Sequence, residues 1–183
     1  MTAPEPDSRG LLLEAIDAIE AVEARQVIEL AIVRLAAVRR TEADLERLHA
    51  LLEGMRRCRK EPAAFAEFDF ALHVTLSEAA RNTLLAGSLA ALHEGMREMI
   101  GRFARTAAAE DRMDALVDSH TRLVEAVGRR DADAAAVTVS DMMIVLRIES
   151  GRCRPRPTPH VIRHQVPQIA MLENSPHEQG DRP

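Results

Sequence analysis

Between Leu11 and Ser150 the chain contains a single proline, Pro62, although it has nine in all; six of the others follow residue 150 and two precede residue 7. Glycine is sparse in the same stretch. A proline inside a helix removes one backbone donor and clashes with the preceding turn, so a long run without it is open to continuous helix. Apolar residues recur there every three or four positions, and nothing alternates at period two or carries a hairpin turn. The pattern predicts an all-α fold, an antiparallel bundle of about six helices over residues 11–150. Residues 1–10 and the Pro/Arg-rich tail 151–183 are polar, aperiodic and expected to be disordered. With 183 residues the chain suffices for one domain. Having four Phe and no Trp or Tyr, its core must come from Ala, Leu, Ile, Val and Met.

Local signals divide the bundle. A first helical region runs from about Leu11 to Arg39. Thr41 caps a second, with Asp44 three residues on in a capping-box arrangement. Pro62 suits the first position of a third, where its missing N–H would be unpaired in any case. Asn82 caps a fourth, from Thr83 to about Thr106. A fifth spans about Asp111 to Val127 and stops at Gly128. A sixth starts at Asp131 or Asp133 and ends near Ser150, before Gly151.

Composition excludes several functions. A net charge of −5 is wrong for a chain that must itself neutralise phosphates. No apolar run approaches the roughly 20 residues of a membrane span, and the first ten residues lack the order of a signal peptide. Cys58 and Cys153 have no CxxC spacing, so a disulfide framework is not expected and a reducing cytoplasm is. There is no nucleophile motif, no Gly-rich phosphate loop and no second carboxylate placed as a general base, so catalysis is not expected.

Three residue patterns carry chemistry. Asp69 and His73, at i and i+4, share a helix face beside the apolar stripe Phe65, Phe68, Leu72 and Leu76. They could approach one cation together, or form an ordinary hydrogen-bonded pair. His120 lies near the inward stripe of the fifth helix, with Leu116, Leu123 and Val127. His93 is flanked by Glu94 and Arg97 and is expected at the surface, like His49. In the segment "VIELAIVRLAAV", residues 27–38, only Glu29 and Arg34 are polar, which marks a helix buried in the bundle. Glu29 has Arg25 one turn behind it. Arg34 has no acidic residue three or four positions away on either side. It must reach a carboxylate elsewhere, on the protein or on a ligand, or extend its stem to solvent.

The segments "EARQVIELAIVRLAA" (23–37), "FAEFDFALHVTLSEAARN" (65–82) and "DSHTRLVEAVGRRDADAA" (118–135) resemble the C-terminal effector (FCD) domain of FadR-type regulators in the GntR family. The resemblance covers about residues 11–150 and rests on DxxxH with an Asn nine residues beyond the His. It rests also on a later His before a GD-type helix start, here with Arg130 in place of the Gly. It implies a divalent metal, such as Zn, Ni or Mn, held inside the bundle by one Asp and three His and receiving a small carboxylate effector. Asp69, His73 and His120 match three ligands. The fourth-ligand position is occupied by Met142, whose soft thioether is a poor substitute for imidazole. Asp141 is adjacent but rotated by about 100°. Arg34 would be a ligand-binding residue. Other members of the family use the same cavity for organic ligands without metal.

The resemblance further implies a homodimer and a winged helix-turn-helix ahead of this domain. Nothing in the chain corresponds to that module, so alone it is not expected to bind operator DNA. It reads as part of a longer regulator or, alternatively, as an effector-only protein that heterodimerises with a full-length relative.

Overall fold

The computed structural model describes residues 18–152, which form six α-helices without a strand among them. These are α1 (Ala18–Arg39), α2 (Glu42–Arg57), α3 (Pro62–Ala79), α4 (Thr83–Ala109), α5 (Met113–Gly128) and α6 (Ala132–Arg152). None of them is long and apolar enough to cross a membrane. Residues 11–17 of the expected first helix, the N-terminal segment and the tail lie outside the described residues.

α1 is the central element. It packs most extensively on α6, and also on α3, α4 and α5. Two ion pairs, Arg34 with Asp133 and Glu23 with Arg147, show that α1 and α6 run antiparallel. α2 packs on α3 and α5. The core is aliphatic, as composition requires: Val22, Ile32 and Val33 of α1 meet Leu48, Met55, Leu72, Leu76, Leu123 and Val139. Buried alanines, among them Ala36, Ala79, Ala107 and Ala135, let the helices approach closely.

The caps follow the sequence signals. The Thr41 side chain accepts from the Asp44 N–H while Asp44 accepts from the Thr41 N–H. Asn82 accepts from the N–H groups of Leu84 and Leu85. Pro62 opens α3. The helix stops were less legible. Gly128 is the last residue of α5, but the chain reverses at Arg130, with φ of 59°; Arg81 and Asp111 do the same after α3 and α4. The Arg130 guanidinium holds its strained position by donating to the carbonyls of Val38 and Arg40.

One expectation about α1 needs correction. Its apolar segment is not buried on every side: Val27 and Val38 are 70% and 64% exposed. Together with Val137, Ile144 and Ile148 of α6 they leave apolar side chains on the outside of the α1–α6 pair.

Candidate metal centre

Three helices converge on one buried cluster. Phe65, Leu72 and Leu76 anchor the inner face of α3, and their spacing carries Asp69 and His73 to the bundle interior. On α5 the buried series Val117, His120, Leu123 and Val124 turns the His120 ring toward the same point. One ligand atom from each of Asp69, His73 and His120 lies within 4.8 Å of the other two. His120 Nε2 is 2.7 Å, and His73 Nε2 3.9 Å, from Asp69 Oδ1.

The outer nitrogens explain the ring orientations. His120 Nδ1 is 2.8 Å from the Leu116 carbonyl, a contact that fits Nδ1–H as donor. His73 Nδ1 is 2.9 Å from Glu29 Oε2, a close charge–dipole contact that is not aligned as a hydrogen bond. Protons on these atoms leave both Nε2 lone pairs facing Asp69. Neither Nε2 has an aligned hydrogen-bond partner, though both rings are almost fully buried. His120 Nε2 is thus close to the carboxylate without being aimed along a hydrogen bond. Two inward lone pairs beside a carboxylate, each ring braced from behind by an oxygen, fit a divalent cation.

Electrostatics agree. Arg25 donates through Nε to Glu29 Oε1 at 2.5 Å, and both side chains are buried. Burial would raise the Glu29 pKa, but Arg25, then His73, hold it well below the ordinary carboxylate range. Burial likewise opposes ionisation of Asp69, yet the neighbouring polar imidazoles of His120, then His73, and the Arg25 guanidinium hold its pKa low. Glu29 and Arg25 cancel, so Asp69 leaves one negative charge among the imidazoles for a cation to neutralise.

A cavity of about 280 Å³ opens beside the cluster, walled by Phe65, Ile100, Phe103, Met142, Met143 and Leu146, with Arg25, Arg112 and Arg122 also lining it. Met142 faces this space and is partly buried; Asp141 is exposed and borders it. The structure does not bring Arg34 there: it is half-exposed and paired with Asp133 on the surface. The carboxylate that Arg34 needed is on α6, and Arg25 is the arginine next to the cluster.

His93 is a further correction. Expected at the surface, it is fully buried, with Nε2 3.5 Å from Glu29 Oε1 and its ring against Phe70 and His73. Burial, followed by the charges of Arg25 and His73, pushes its pKa down against the pull of Glu29. The signal was present in the register: His93 follows Leu89 by four residues and precedes Ile100 by seven, and both are buried. The reach of Glu29 across to His73 and His93 had no local signal, because the partners are distant in sequence.

Residues 20–144 match the FCD domain family. Over 154 residues the chain is 31% identical to the HTH-type transcriptional regulator LutR of Bacillus subtilis (strain 168), a match covering 80% of this chain and 68% of that protein. Among solved structures it resembles E. coli McbR/YncC, with a TM-score of 0.64 at 19% identity, over 82% of this chain and 72% of that one. It also resembles Lar, described as controlling the Listeria monocytogenes agr system and mediating virulence. That match has a TM-score of 0.64 at 18% identity, over 76% of this chain and 66% of the other. At such identities the two structures speak for the fold.

Proposed function

This chain belongs to the FCD domain family, the C-terminal effector domains of FadR-type GntR regulators, and from that premise we propose that it senses a small organic acid beside a divalent cation held by Asp69, His73 and His120. The family is one of regulatory effector domains rather than of enzymes. The observation that carries the proposal is the pair of buried, unpartnered Nε2 atoms converging on the Asp69 carboxylate.

A bound cation would supply Lewis acidity and positive charge for an effector carboxylate. The chain's own residues do the rest. Arg25 adds a fixed positive charge close to the cluster, in the place first expected of Arg34. Phe65, Phe103 and Met143 give the remainder of the cavity apolar walls for the rest of an effector. With Met142 in place of a fourth imidazole the set has three strong ligands, which leaves room for an effector oxygen but weakens retention of the ion.

In a complete regulator, effector binding would bias the arrangement of the attached DNA-binding modules, a coupling between two sites. Self-association belongs to the same reading. Val27, Val137, Ile144 and Ile148 support it as apolar residues left exposed on α1 and α6; sedimentation of wild type beside a Val27→Glu/Ile144→Glu variant tests it, with a dimer expected only for the former.

The primary test is elemental mass spectrometry of untagged protein, wild type beside His73→Ala, after incubation with Zn²⁺, Ni²⁺ or Mn²⁺. Near-stoichiometric metal in the wild type, lost in the variant, is expected, followed by thermal stabilisation with a subset of small carboxylates. Absence of metal from both proteins contradicts the site.

A further inference from the structure

His93 is not a member of the ligand set, yet among the described residues it is the most enclosed imidazole, with 0% exposure. Neither ring nitrogen has an aligned hydrogen-bond partner. A polar ring buried in this way costs stability unless its surroundings return something. An apolar residue would fill the space between Phe70 and His73 without that cost, so the imidazole calls for an explanation.

The nearest anion supplies one. His93 Nε2 lies 3.5 Å from Glu29 Oε1, the oxygen that also accepts from Arg25. The other oxygen, Oε2, faces His73 Nδ1 at 2.9 Å. Glu29 therefore stands among groups from three helices: Arg25 of α1, His73 of α3 and His93 of α4. Arg25 alone could take both carboxylate oxygens in a forked pair and turn Glu29 away from His73. A second N–H facing Oε1, attracting it without an aligned hydrogen bond, opposes that rotation.

We propose that His93 is a positioning residue for the metal centre: its Nε2–H, 3.5 Å from Glu29 Oε1 and not aligned as a hydrogen bond, attracts that oxygen electrostatically, which keeps Oε2 turned toward His73 Nδ1–H. His73 is then fixed in the tautomer whose Nε2 lone pair faces Asp69. The edge-on His73 and His93 rings, with centroids 5.8 Å apart, and the Phe70 ring at 5.1 Å hold His93 in this orientation. Outer groups that orient a ligating imidazole commonly alter metal affinity by about 10–100-fold. The inference rests on the metal reading of Asp69, His73 and His120, but it makes a claim about the metal-free protein as well.

Two measurements test it on wild type, His93→Phe and His93→Gln, with His93→Met in place of the first should the Phe variant not fold. Long-range ¹⁵N NMR of the His73 ring at about pH 8, above the ordinary imidazole pKa, reads the tautomer without metal. The Nδ1–H form should dominate in wild type, give way to a mixture in His93→Phe, and return in His93→Gln, whose amide can donate from a similar place. Competition with a chelator then reads Zn²⁺ affinity, expected to fall about 10–100-fold in the Phe variant and be restored in the Gln variant. An unchanged His73 tautomer in His93→Phe, or equal losses of affinity in both variants, overturns the proposal. Failure of wild type to bind Zn²⁺ while its tautomer depends on His93 overturns the metal reading and leaves the positioning role standing.

Discussion

At Glu29 a single side chain serves α1, α3 and α4, and removing it exposes what the cluster costs the fold. Glu29→Leu leaves Arg25 as a buried cation whose remaining anion is Asp69. Breaking one partner from a buried pair costs about 3–5 kcal/mol, far more than the pair itself contributes over apolar residues of similar size. Urea unfolding should show that loss for Glu29→Leu, and the double variant Arg25→Met/Glu29→Leu should recover much of it. Equal instability of the single and double variants would contradict the electrostatic account. Met142→His is the complementary change, since it places an imidazole where the thioether faces the cavity. Zn²⁺ affinity is expected to rise about tenfold or more, by closing a fourth position with a better ligand. At this scale the sequence was legible where partners are one turn apart: Asp69 with His73, and Arg25 with Glu29. It was illegible for the pairs Arg34 with Asp133 and Glu29 with His93, because only the packing of separate helices makes them neighbours.

Helices were read well at their beginnings and less well at their ends. An N-cap is a chemical event within four residues, so Thr41, Pro62 and Asn82 declare themselves. Thr41→Ala should cost about 1 kcal/mol, visible as a lower urea midpoint. The reversals after α3, α4 and α5 use Arg81, Asp111 and Arg130 in the left-handed region, where glycine would be the signal. Tertiary bonds, such as those from Arg130 to the Val38 and Arg40 carbonyls, make the difference. Gly54 inverts the usual meaning of glycine: it lies inside α2, at no turn. A Cβ there would stand 2.3 Å from the Phe68 ring, so the ring of α3 lies flush against the α2 backbone in the space an alanine methyl would need. Helix propensity favours Gly54→Ala by about 1 kcal/mol, whereas forcing a ring aside in a packed interface costs about 1–3 kcal/mol. The clash should win, and chemical denaturation of Gly54→Ala should show net destabilisation. A gain in stability would mean that Phe68 moves freely.

For the whole molecule, the scarcity of proline and the recurrence of apolar residues every three or four positions together identified a helical bundle, because breakers and period both act locally on the backbone. Which helix occupies the centre was not written there: α1 looked buried on all sides, yet leaves Val27 and Val38 exposed while its other face carries Arg25 and Glu29 into the core. Burying that charge makes the domain sensitive to acid. Glu29 and Asp69 have folded-state pKa values held below the ordinary range, as does Asp44, where the Thr41 N–H and hydroxyl, then Arg81, outweigh burial. For a depressed carboxylate the stabilisation is present above its unfolded pKa, near 4, and is lost as pH falls below it, because the unfolded chain binds the proton first. His93, whose pKa is also pushed down, acts with the same sign at higher pH: the unfolded imidazole takes a proton below about 6.5 while the buried ring resists it. Thermal unfolding of metal-free protein should therefore show a declining midpoint from pH 7 to 5 and a steeper fall below 4. In His93→Gln, which cannot titrate there, the upper limb should flatten while the lower one persists. A midpoint unchanged across the whole range would mean that the buried charges relax into solvent before the fold responds to them.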